Sequence, residues 1–138
     1  MSDNSVYFNF SATLRIHGHN LDFHKIEAAL CIAPTHSHRE GESRRVSSLT
    51  KYKDDAWHYT ANVSEDEPLG VHLNELWRVI SANVQFIRKL KLIARVDIFC
   101  GYRTNCDHAG FEVPYEALRI FNELEIPFGV SVIVLPDE

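Results

Sequence analysis

The opening of the chain is the feature that most limits its fold. Val6, Phe8, Phe10, Ala12, Leu14 and Ile16 alternate with Tyr7, Asn9, Ser11, Thr13 and Arg15. Successive side chains of an extended strand point to opposite faces, so this stretch offers one face to a core and one to water. A strand buried on both faces would read as a continuous apolar run. The pattern therefore favours a sheet covered by helices on one side and disfavours a doubly wound sheet.

The remaining elements follow from periodicity and punctuation. Asp22 stands at an N-cap position ahead of Phe23, Ile26, Ala29 and Leu30, and Pro34 is expected to end that helix. Thr35 to Lys53 is polar, with little periodicity, and reads as a long loop. Ala56 to Val63 alternates again, with Trp57, Tyr59, Ala61 and Val63 on one face and His58, Thr60 and Asn62 on the other. Pro68, preceded by Glu65-Asp66-Glu67, opens a helix carrying Leu69, Leu73, Leu76, Ile80, Val84, Ile87 and Leu90 at threes and fours. A strand from Arg95 to Tyr102, a helix opened by Pro114 and a strand from Phe128 to Leu135 complete the chain. The expected architecture is a single α+β domain over residues 1–138, in β-α-β-α-β-α-β order. Two strand–helix–strand units point to a ferredoxin-like, split β-α-β sheet with helices on one face.

Composition narrows the function. The chain has 138 residues, 14 Lys and Arg against 19 Asp and Glu, and a net charge of −5. That acidic balance argues against a dedicated nucleic-acid binder, which usually carries a basic excess. Apolar runs are too short for a membrane span, and the start lacks the basic and apolar stretches of a secretory signal. Three cysteines, Cys31, Cys100 and Cys106, make no disulfide framework, so a reduced, cytoplasmic setting is expected.

Several separated motifs carry a family resemblance. Leu14-Arg15-Ile16-His17-Gly18, Leu21-Asp22, Ile32-Ala33-Pro34-Thr35, Asp97-Ile98-Phe99-Cys100-Gly101-Tyr102, Gly110-Phe111-Glu112 and Ile126-Pro127-Phe128-Gly129-Val130 occur in order along the chain. The sequence thereby resembles the bacterial domain-of-unknown-function family 4279, from about Tyr7 to Val134. The resemblance implies a stand-alone bacterial cytoplasmic α+β domain without an established activity. Some small bacterial families of this kind act as immunity proteins against secreted toxins.

Four constellations are candidates for chemistry. His17-x-His19 and His36-x-His38 each place two imidazoles on one side of an extended segment, and Cys106-x-His108 stands in reserve; zinc needs three or four such ligands on one point. Solvated loop histidines and structural thiols are the plainer explanation. The loop His36 to Arg45 brings Arg39, Arg44 and Arg45 together with two serines and Gly41, a composition suited to phosphate, although Glu40 and Glu42 offset its charge. On the uncovered sheet face, Tyr7, Asn9, Ser11, Thr13, Arg15, Asp97 and Phe99 suit a protein interface, with Arg15 and Asp97 also able to pair with each other. Asp97 and Cys100 with His17 or His58 form a Cys–His pair on paper, with no signature ordering them.

The function expected from these features is a non-catalytic interaction module, a homodimer or the binder of a protein partner such as a toxin, with no cofactor. The alternative is a metal-dependent or small-ligand-binding enzyme, zinc being the implied metal, built on the His17/His19 and His36/His38 region.

Overall fold

The computed structural model describes residues 5–44 and 49–135. Among these residues the chain runs β1 (Phe8–Gly18), α1 (Phe23–Leu30), β2 (His36–His38), β3 (Asp55–Thr60), α2 (Leu69–Ile80), α3 (Val84–Leu90), β4 (Arg95–Thr104), α4 (Arg119–Leu124) and β5 (Val130–Val134). The strands form one mixed sheet in the order β2-β3-β1-β4-β5. β1 is antiparallel to β3 and β4, β2 is antiparallel to β3, and β4 and β5 are parallel.

Alternation on β1 works as the pattern demands. Phe10, Ala12, Leu14 and Ile16 are buried, while the residues between them stay partly open. β4 repeats this, burying Val96, Ile98, Cys100 and Tyr102. The same apolar cluster takes in Ile26 and Leu30 of α1, Leu73, Leu76 and Ile80 of α2, Ile87 of α3, and Ile120 and Leu124 of α4. The helices thus gather on one face of the sheet, and the polar alternates of β1 and β4 lie on the other.

The ferredoxin-like split order is not what the pairing gives. A split unit needs a strand inserted between two parallel strands joined by a helix. Here β1 and β3 are direct neighbours and antiparallel, while β4 and β5 are direct neighbours and parallel. The element order also gains a strand, because three residues inside the long polar segment, His36–His38, pair with β3. They become a strand by docking on an edge rather than through β propensity.

Three helix boundaries differ from their sequence signals. α1 begins as expected, the Asp22 carboxylate accepting from the Lys25 N–H at 3.0 Å. It ends at Leu30 rather than at Pro34, because Cys31 adopts a left-handed conformation (φ 56°) and its N–H donates back to the Glu27 carbonyl. The long apolar stripe from Leu69 to Leu90 is two helices, not one. A 3-10 turn over Ser81–Asn83 divides it, where serine and asparagine are weak helix formers. The helix opened by Pro114 begins as a 3-10 turn over Tyr115–Leu118 before continuing as α4.

The core supplies a plain test. Leu73 on α2 is fully buried, whereas Leu92 after α3 is 84% exposed. Leu73→Ala is expected to cost about 2–5 kcal/mol in urea denaturation. Leu92→Ala should stay within about 0.5 kcal/mol of the parent protein.

Candidate functional site

The open face is ordered by cross-strand register. Ser11 of β1 lies opposite Gly101 of β4, Thr13 lies between Thr60 and Phe99, and Arg15 lies between His58 and Asp97. The Thr13 and Thr60 hydroxyls are 2.8 Å apart. Arg15 donates twice to Asp97, at 2.7 and 3.0 Å, and its guanidinium lies 5.1 Å from the centre of the Phe99 ring. Thr13, Arg15, Asp97 and Phe99 are therefore brought together, while Asn9, opposite Arg103, lies farther along the same face and Tyr7 just before β1. Within that group Arg15 and Asp97 satisfy each other.

At one end of this face four imidazoles converge. His17 comes from β1, His58 from β3, and His36 and His38 from β2, whose register places His36 opposite His58 and His38 opposite Ala56. The Nε2 atoms of His17 and His58 are 2.9 Å apart, and His36 Nε2 is 2.9 Å from His38 Nδ1. Ring centres are 4.9 Å apart for His17–His58, 5.4 Å for His36–His58, and 6.5 Å from His38 to both His17 and His58. Ala56 shares this side of the sheet, next to His17 and His38 in register, and is fully buried. Its small side chain leaves the rings room to close over the strand.

Groups around the cluster hold the rings in place. Asp54 Oδ2 stands 3.5 Å from His17 Nδ1. Tyr52 stacks on His38 with centroids 3.4 Å apart and planes within 8°, and Arg44 lies 5.9 Å from the Tyr52 ring centre. Burial, then His17 and His36, push His58 down to about 4. Burial, then His36 and His17, also lower His38, against opposing pulls from Asp54 and Glu42. Both rings are neutral near pH 7 and so retain a lone pair. His38 Nε2 is buried without a hydrogen-bond partner.

A buried carboxylate ties β2 and the start of β3 to α1. Asp55 accepts from the Leu21 N–H at 3.0 Å, from the Glu40 N–H at 2.8 Å and from the Arg39 guanidinium at 2.8 Å. Burial alone would raise its pKa, but the two backbone donors and Arg39 outweigh it and hold the carboxyl below its ordinary value. Arg39 also donates to the Leu21 carbonyl and lies over the Phe23 ring at 3.7 Å. Arg39 is thus engaged in holding the fold rather than presented to a phosphate, and Arg44 is turned toward Tyr52. Arg45 lies outside the described residues.

Three other sequence expectations are corrected. His19 does not join His17: β1 ends at Gly18, Asn20 turns left-handed, and the His19 ring pairs with Glu40 at 2.7 Å. Cys106 and His108 follow the far end of β4, where Thr104 pairs with Phe8, whereas His17 pairs with Arg95 at the other end. Nine residues of strand, roughly 30 Å, separate the two ends. Cys100 lies on the core side of β4, away from Asp97 and His17, and burial pushes its thiol up to about 12. That removes the Cys–His pair. The residue that the metal reading lacked is His58, whose alternation opposite Trp57 had placed it on this face.

The family model for a domain of unknown function, DUF4279, matches residues 7–135. The chain belongs to that family. Among curated proteins and solved structures, no match was found. Among the described residues no helix is long and apolar enough to cross a membrane.

Two outcomes follow from these electrostatics. Asp55→Ala strands the Leu21 and Glu40 N–H groups and releases the half-exposed Arg39, and is expected to cost about 2–4 kcal/mol, read by urea denaturation. Depressed histidines favour the neutral form in the fold, so their contribution is complete above the ordinary imidazole value of 6.5 and is lost as pH falls from there toward 4. Metal-free protein should therefore denature at lower urea at pH 4.5 than at pH 7, and His58→Ala should flatten that dependence. An unchanged slope in the variant would contradict the assignment.

Proposed function

We propose that this DUF4279 domain binds a divalent transition-metal ion of the zinc class through His17, His36, His38 and His58. The observation that carries the reading is the convergence of four imidazoles from three neighbouring strands on an uncovered sheet face. Imidazole nitrogens bind zinc at about 2.0–2.1 Å, which puts two tetrahedral ligand atoms roughly 3.3 Å apart. The two histidine pairs, at 2.9 Å, lie a few tenths of an ångström from that spacing. Among the described residues no group of three or more His, Cys, Asp or Glu side chains is placed, as it stands, to hold a metal ion. The reading therefore requires each pair to part and its rings to turn about χ2.

Asp54 supports the assignment. A carboxylate beside His17 Nδ1 favours the proton there and leaves the Nε2 lone pair for a metal, the usual support for a ligating histidine. Imidazole sets suit zinc, copper and nickel, while oxygen ligands suit magnesium and calcium. Four histidines fill a tetrahedral shell and leave no position for substrate, so the role is binding rather than hydrolysis.

The bare face also favours a second reading, an interaction module that takes a protein partner such as a toxin over Asn9, Thr13 and Phe99. Arg15 contributes little to it while its guanidinium is held by Asp97.

Untagged protein, stripped with chelator and titrated with zinc in a calorimeter, should bind one ion per chain. His58→Ala should weaken binding at least about tenfold, and His19→Ala should leave it unchanged. No binding at stoichiometric ratio, or equal affinity in His58→Ala, would overturn the proposal.

A further inference from the structure

We infer that β5 is a docking edge for a second copy of this chain, which pairs with it antiparallel and extends the sheet. The inference stands apart from the histidine cluster, which lies toward the opposite edge of the sheet.

β5 ends the sheet with its outer backbone groups unpaired by any strand among the described residues. Parallel strands are normally covered on both faces, and exposed edges are normally blunted by charge, proline or a bulge. Val130–Val134, Val-Ser-Val-Ile-Val, contains no charge and no proline. Val132 is 55% exposed, Ile133 46% and Val134 41%. The other edge strand, β2, is only three residues long.

The helical layer stops short of this edge. Val130 still packs against the core, and Phe128 lies 4.9 Å from Phe121 of α4. Beyond it, register sets Val132 beside Tyr102 and Phe10, and Val134 beside Thr104 and Phe8. Phe111 packs on Phe10 and Tyr102, at 5.3 and 4.9 Å between ring centres, and it and Phe8 remain partly exposed. An apolar patch thus runs without a break into the open edge.

The strand is self-complementary. With a two-fold axis through Val132, Val130 faces Val134 of the partner subunit, Val132 faces Val132 of the partner subunit, and Ser131 faces Ile133 of the partner subunit. The valine pairs fall on the helix side, continuing the Phe8 and Tyr102 patch, and such β-branched cross-strand pairs are favourable. No like charges meet. A second copy therefore satisfies the outer backbone groups of β5 and covers its exposed valines in one contact, as isologous interfaces do.

Light scattering on a sizing column and sedimentation equilibrium test this. Untagged protein in chelator should run at twice its 15.8 kDa chain mass and fall toward that mass on dilution. Val132→Lys should halve the mass while keeping the circular dichroism spectrum of the parent. Ile133→Lys, on the other face of the strand, should do the same, which keeps the test sound if one variant fails to fold. Val71→Lys, at an exposed position on α2, should leave the mass unchanged. A parent chain that stays monomeric at the highest concentration overturns the inference, leaving the edge to a different protein. A dimer that persists in both folded β5 variants, or one that chelator dissolves, overturns it as well.

Discussion

The register of β1 between β3 and β4 is the constraint on which the rest depends. β1 sits in the middle of the sheet and is antiparallel to both neighbours. A slip of one residue would turn Phe10, Ala12, Leu14 and Ile16 outward and drive Asn9, Thr13 and Arg15 into the core. The apolar set has a full helical layer to bury against, so the register is strongly specified. Once it is fixed, every open-face neighbour is fixed too: Thr13 beside Thr60, Arg15 beside Asp97, and His17 diagonal to His58.

The histidine cluster needs one further element, and it is polar. β2 is too short to hold its place by strand pairing alone. Asp55 makes up the difference by accepting from the Leu21 and Glu40 N–H groups and from Arg39, which joins the loop after β1, the segment after β2 and the start of β3 at one buried carboxylate. Tyr52 then closes over His38. The rings are thus held by a network that is itself well satisfied, while their own nitrogens face one another. Each of these two ring pairs, 2.9 Å apart, lets one neutral imidazole donate to the other. Four ligating side chains meet here, whereas Arg15 and Asp97 satisfy each other, which is why the cluster carries the functional reading.

Parts of this site were legible in the chain. Alternation put His17 at the end of β1 and His58 opposite Trp57, and His36-x-His38 already read as two rings on one side. His19 was misread because the same two-residue spacing was extended past Gly18, where the strand stops and the chain turns. Arg39 was misread because a loop arginine among serines and glycine looks the same whether it awaits a phosphate or is held by a buried aspartate. Beyond that His36-x-His38 spacing β2 left no trace, since three polar residues have no apolar periodicity and become a strand only against β3. The split-sheet expectation failed for a related reason: alternating strands and helices fit several strand orders, and nothing local distinguishes them.

The sequence by itself determined which side of β1, β3 and β4 faces the core, where α1 and α2 begin, and that one layer of helices suffices. These are records of how a side chain relates to its own backbone, and a period of two or 3.6 residues writes them directly into the chain. Tertiary structure alone decided which strands are neighbours, and so that four histidines spread over 42 residues meet while Cys106 and His108 stay at the far end. Strand pairing is a contest among distant segments, settled by packing and by buried polar partners such as Asp55, and no single segment carries its outcome.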